Sequence, residues 1–147
     1  MSARGSPFIS GPAMSVLRVR RALLFLWLSG AAVPFVIVLA QTLAGRYGSQ
    51  SQDAWSWLLA SVLPTLGLMV AVTLSETGHE QRVSRFAVGL SFVFSLGYLA
   101  LVWATILLQP FSRWDAHELF KLSHLWLAPM QALNDATLAT VFLNTSK

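Results

Sequence analysis

Three stretches of this chain, residues 22–44, 55–74 and 86–108, run for 23, 20 and 23 residues without one Asp, Glu, Lys, Arg or His. About 20 apolar residues in a helix cross the ~30 Å hydrocarbon layer of a bilayer. In that layer a helix is the solution that satisfies every backbone group within one segment. The rest of the composition agrees. Only 11% of residues are charged and 55% are hydrophobic, against about 25% charged in soluble domains, and the mean hydropathy is +0.61. A soluble globule is excluded, as is a disordered chain, which needs low hydrophobicity and high charge. The expected fold class is an all-α membrane protein with short loops: a basic cytoplasmic leader over residues 1–21, then a transmembrane domain over 22–147.

Charge placement sets the orientation. Arg4, Arg18, Arg20 and Arg21 precede the first apolar run, as a cytoplasmic flank does under the positive-inside rule. With four crossings, Arg82, Arg85 and Lys147 join them inside and Arg46, Arg113 and Lys121 fall outside, which is seven basic residues against three. Both termini are therefore expected in the cytoplasm, with the chain a multi-pass membrane protein. The net charge of +4 is accounted for by this flank, so no nucleic acid is expected as a partner. The first run is too long for a signal-peptide core of about 7–15 residues and is read as a retained span.

Each apolar run carries its own marks. Pro34 and Pro64 lie near the middle of the first and second spans and are expected to kink them as hinges. Gly67 and Ala71 in the second span, and Ser91 and Ser95 in the third, are four residues apart and suit close helix packing. Trp55, Trp57 and Trp114 are placed as anchors at the membrane interface. Residues 114–120 read as a short amphipathic helix lying flat on the membrane. Between the second and third spans, Glu76, His79, Glu80, Arg82 and Arg85 form a polar cytoplasmic loop, the expected receiver of a trigger.

The last hydrophobic stretch, residues 122–143, differs from the other three. It contains His124, Gln131, Asn134 and Asp135, and Pro129 interrupts it. Asp135 lies about 4 Å from its midpoint at 1.5 Å of rise per residue. A carboxylate there costs roughly 2.5–3.5 kcal/mol, so it must face protein or water. On a helix His124, Ala128, Gln131 and Asp135 fall within about 60° of one another, with Asn134 at the edge of the stripe and Leu138 and Phe142 continuing it. Such a stripe is either hydrogen-bonded glue between helices or the lining of a pore, cavity or proton path. Pro129 removes a helix bond to Leu125, which leaves open two shorter pieces in place of one crossing.

Chemistry of other kinds is poorly supplied. The chain has no cysteine, which removes disulfides, thiolate catalysis and cysteine-bound metals. His79, His117 and His124 form no HExxH pair, and neither a nucleophile elbow nor a phosphate loop occurs. No enzyme activity, metal or cofactor is expected.

Two stretches, Trp55-Ser-Trp57-Leu-Leu with Leu63-Pro64-Thr65-Leu66, and Trp126-Leu-Ala-Pro129-Met-Gln131-Ala-Leu133, resemble the small multi-span membrane partners and effectors of bacterial anti-phage cassettes. The resemblance implies a helical homo-oligomer in the lipid bilayer that perturbs the membrane or conducts ions when a separately encoded cytosolic sensor signals. The expected function is then an oligomeric inner-membrane effector in antiviral defence, forming or gating a pore with His124, Gln131, Asn134 and Asp135 as its polar lining. A scaffold that anchors a partner without conducting, and a small transporter, are the other two readings.

Overall fold

A computed structural model describes residues 16–74 and 84–143. They form four α-helices: α1 (Val16–Leu43), α2 (Ser51–Leu74), α3 (Arg85–Leu108) and α4 (Ala116–Phe142). Three of these, α1, α2 with the 3-10 turn before it, and α3 with the 3-10 turn after it, are long and apolar enough to cross a membrane. The protein is thus all-helical over its described residues and compatible with a multi-pass membrane protein. In the bundle α1 packs on α2 and α3, and α4 packs on α3 and α2. The two polar-marked ends are brought together by Arg20 on α1 touching the end of α4, and by Asp53 on α2 meeting His117 at its start.

Local sequence sets the helix ends. Gly45, at φ +69°, closes α1: its amide bonds to Thr42 and that of Arg46 reaches back to Gln41, both at 3.0 Å. This is a Schellman ending, which favours glycine because it needs a left-handed residue. Ser84 caps α3 by accepting from the Ala87 amide, and Asp115 caps α4 by accepting from Ala116. Each satisfies an amide that the first turn leaves orphaned.

The boundaries correct three expectations. Helix α1 begins at Val16, so Arg18, Arg20 and Arg21 ride on it. Residues 116–120 are not a separate interfacial helix; they are the first turn of α4, and Phe120 is buried, stacked on Trp57 at 4.8 Å between ring centroids. Pro129 does not interrupt α4, which runs unbroken through it. It lies on the exposed side of the helix, where the lost bond to Leu125 faces away from the core. Hydrogen bonds to α2 and α3 on either side of it hold the two halves in line.

Pro34 shows how a proline is accommodated at depth. Lacking an N–H, it cannot donate to the Gly30 carbonyl one turn back. The indole Nε1 of Trp103 on α3 donates to that carbonyl at 2.7 Å. The approach is close because Gly30 has no side chain; a Cβ there would stand 2.6 Å from Leu99 Cδ1. An orphaned carbonyl of α1 has become the acceptor of a bond between helices. Trp103→Phe is expected to lower stability in detergent by about 0.5–1.5 kcal/mol. The loss should shrink in a Pro34→Ala background, where an alanine at position 34 restores the helix donor; an unchanged loss in a double-mutant cycle would refute the link.

Candidate functional site

The polar residues of α4 are distributed over two neighbours. From the start of the helix, His117 Nδ1 lies 3.0 Å from Asp53 Oδ2 on α2, and Gln50 donates to the capping carboxylate of Asp115. Six residues past His117, the buried Ser123 hydroxyl accepts from Trp57 Nε1 at 2.8 Å. At mid-length, the Tyr98 hydroxyl of α3 donates to the Ser61 carbonyl at 2.8 Å and lies 3.4 Å from Gln131 Oε1, a second and more distant acceptor. The Gln131 Nε2 makes no hydrogen bond among the described residues.

One turn further, two adjacent residues part company. Asn134 is fully buried toward α3, where its Oδ1 accepts from Ser95 at 3.0 Å. Asp135 points toward α2 and stays half-buried. Its Oδ1 accepts from the Thr65 hydroxyl at 2.9 Å and from the Asn134 amide at 3.4 Å. Its Oδ2 has no hydrogen-bond partner among the described residues. Thr65 lies near the middle of α2, and Ser95 near the middle of α3, so the carboxylate is held at mid-length of the bundle. Beyond it, the Ser91 hydroxyl lies within bonding distance of the Ala87 and Thr137 carbonyls, at 2.9 and 3.1 Å. Thr137 and Thr140 bond back to their own helix.

Arg20 closes the far end. It is 2% exposed, with Nε donating to the Val141 carbonyl at 2.8 Å and Nη2 to that of Phe142 at 3.0 Å, and its guanidinium lies 5.7 Å from the centroid of the Phe142 ring. These are last-turn carbonyls, which have no intrahelical donor and carry the negative end of the helix dipole.

An open cleft of about 350 Å³ sits between α2 and α4 at the end opposite Arg20; Asp53, Ser56, Ala60, His117, Lys121 and His124 border it, over Trp57 and Phe120. His124 is exposed there, one polar row with His117, Gln131 and Asp135 on the side of α4 that meets α2. The row is polar from His117 to Asp135. It then turns apolar at Leu138 and Phe142, both buried. One side of the bundle is thus polar from the cleft to mid-length, and the other end is apolar. Among the described residues, no group of three His, Asp or Glu is placed to hold a metal ion.

The remaining sequence-marked residues fall as follows. Ser91 and Ser95 are fully buried between α3 and α4. Gly67 and Ala71 are exposed, and a Cβ at Gly67 would meet nothing within 4 Å, so within one chain they pack against no helix. Trp57 is a core residue and no interface anchor: it is 4% exposed and bonded at both its ring face and its nitrogen. Trp55 donates to Thr42 at 3.1 Å and packs edge-on against Phe35. Trp114 is exposed. Pro64 is exposed within α2, and Pro34 is buried within α1. Glu76, His79, Glu80 and Arg82 lie outside the described residues; Arg85 opens α3 at the same end of the bundle as Arg20. Sequence reading missed Arg20, Tyr98, Thr65 and Trp103. Only Arg20 left a signal, since the sequence places it beside the first apolar run.

No protein-family model matches the chain, and no curated protein or solved structure is similar to it.

Replacing Arg20 by Gln is expected to raise amide hydrogen exchange in residues 139–143 at least tenfold, while residues 123–138 keep their protection. Arg20→Lys, which keeps the charge but not the two-pronged donor, should fall between the two. Equal exchange in all three proteins would show that the guanidinium does not fasten α4.

Proposed function

We propose that this chain is the subunit of an oligomeric inner-membrane pore for protons or small cations, with α4 as a fourth crossing and the α2–α4 groove as its polar path. Asp135 carries the reading. A carboxylate at mid-length of the bundle, with one oxygen held by Thr65 and the other without a partner, is costly against lipid and useful against water. Intramembrane carboxylates of this kind serve proton relays and ion paths. His124 and the His117–Asp53 pair lead toward it from the open cleft. Gln131 stands between, about 10 Å of helix rise from His124 and about 6 Å from Asp135, distances that water would bridge.

The apolar plug at Leu138 and Phe142 supports a gated path. It lies at the end that also carries Arg20 and the start of α3, next in sequence to the segment expected as the trigger loop. A cytosolic partner acting on that loop or on the basic leader would act where the plug is fastened. The resemblance to anti-phage membrane effectors supports the same arrangement, with the sensor encoded separately.

The scaffold reading draws on a different observation: Asn134, Ser95 and Ser91 are fully satisfied within one chain, as structural glue would be. Asp135→Asn separates the two. An asparagine at position 135 keeps an oxygen for Thr65 but removes the charge, so the fold is expected to persist while cation flux in proteoliposomes falls at least tenfold. Leu138→Ala, which thins the plug, should raise flux. Parent-level flux in Asp135→Asn and in Gln131→Leu would remove the pore reading.

A further inference from the structure

The cleft between α2 and α4 has walls of opposite charge that do not meet. On the α2 wall stands Asp53, whose Oδ2 faces His117 while Oδ1 has no hydrogen-bond partner among the described residues. On the α4 wall stand Lys121 and His124, both exposed. The side chain of neither makes a hydrogen bond or ion pair among the described residues, so Lys121 does not neutralise Asp53. Beside Trp57 the α2 wall is built of Ser56 and Ala60, and these small side chains leave about 350 Å³ open. The floor is firm, because Trp57 and Phe120 are buried and stacked on each other at 4.8 Å between centroids. The cleft is thus a preformed space whose polar groups lack partners.

Its place in the bundle narrows what can fill it. The link from α3 to α4 at this end carries Phe111 and Trp114, 85% and 56% exposed, on either side of Arg113. Exposed aromatic and basic residues at the end of a membrane helix mark the headgroup layer. Along α4 from this end come His117 beside Asp53, then Lys121 about 6 Å further and His124 about 10 Å further. The carboxylate is therefore outermost and the free basic side chains lie beneath it. Past the cleft, α2 continues outward with Leu63 and Gly67, both exposed, and nothing lies within 4 Å of a Cβ built at Gly67. An apolar surface with room above Gly67 follows the charges.

A ligand that satisfies this order carries a cation first, an anion second and hydrocarbon last. Basic side chains in a pocket between membrane helices receive lipid phosphate. A primary ammonium also donates hydrogen bonds, which Asp53 Oδ1 can accept. We propose that the cleft binds the headgroup of an ethanolamine phospholipid, with Lys121 and His124 donating to its phosphate and Asp53 accepting from its ammonium. A choline headgroup has no N–H to give Asp53, and a glycerol headgroup has no cation. The proposal rests on the multi-pass reading of the helices and is independent of conductance.

Native mass spectrometry of the purified chain in detergent tests it, with dioleoyl phosphatidylethanolamine, phosphatidylcholine or phosphatidylglycerol added in equal amounts. The ethanolamine lipid is expected to give the strongest adduct, about tenfold over the choline lipid, the size of one charge-assisted hydrogen bond. Asp53→Asn should remove this preference and leave the glycerol lipid adduct in place. Lys121→Ala with His124→Gln should lower all three adducts about tenfold. Ala60→Trp fills the cleft without changing a charge and should lower them too. Unchanged circular dichroism shows that each variant keeps its helices. Equal adducts of the three lipids, adducts indifferent to both the Lys121/His124 and the Ala60 changes, or binding of free phosphoethanolamine without a lipid adduct would each overturn the proposal. A chain that holds the ethanolamine lipid but conducts nothing keeps this site and loses the pore. One that conducts but shows no lipid preference does the reverse.

Discussion

A helix with a histidine, a glutamine, an asparagine and an aspartate can be kept in a bilayer only if its neighbours answer those groups. Water is not there to do so, and each unsatisfied polar atom costs several kcal/mol. The structure meets this condition fully on the α3 side of α4 and in part on the α2 side. Trp57 answers Ser123, Tyr98 faces Gln131, Ser95 answers Asn134, Thr65 answers Asp135, and Ser91 lies against the Thr137 carbonyl. Arg20 takes the last carbonyls. Each interhelical bond of this kind is worth about 0.6–2 kcal/mol. Together they offset the low hydropathy that separates α4 from the other three helices, and they fix its rotation, since a turn of 100° would break all of them at once. The least apolar helix is thereby the most precisely placed.

The same rule explains features remote from α4. Pro34 frees a carbonyl in the middle of α1, and the bundle uses it as the acceptor for Trp103. Gly30, whose lack of a side chain lets α1 and α3 come together there, is the residue that owns the carbonyl. A proline, a glycine and a tryptophan, separated by up to 73 positions, constitute one joint. The proline thereby takes part in a fastening between α1 and α3, through a partner that lies on another helix.

This is also where sequence reading reaches its limit. Runs without charge sufficed for the three apolar helices, because hydropathy over 20 residues is a local sum. The grouping of His124, Gln131 and Asp135 was legible too, since helical periodicity alone sets it. What periodicity cannot supply is the identity of the neighbour. Asn134 and Asp135 are consecutive, yet one is buried against α3 and the other opens toward α2, a split decided by where two other helices stand. Trp57 looked like an interface anchor because it opens an apolar run next to Trp55. Its indole is instead taken by Ser123 and Phe120, a pairing across 66 positions. Arg20 belonged by charge to a cytoplasmic leader; its burial follows from α1 starting early enough to bring it beside the end of α4.

The distribution of satisfied and unsatisfied groups finally says which parts of α4 are structural and which are free to act. Toward α3 every polar side chain of the helix is paired, and the packing there is tight. Toward α2 pairing is incomplete: His124 is exposed, Gln131 keeps an N–H, and Asp135 keeps an oxygen. Asp135 and Gln131 are each held through one atom only, by Thr65 and Asn134 and by Tyr98 respectively, and their second polar atoms are left open. These open groups lie on one edge, above the buried apolar pair Leu138 and Phe142. The fastening by Arg20 lies at the apolar end, so a pull on the basic flank would bear first on the last turn of α4 and on Phe142, where the row below Asp135 has turned apolar.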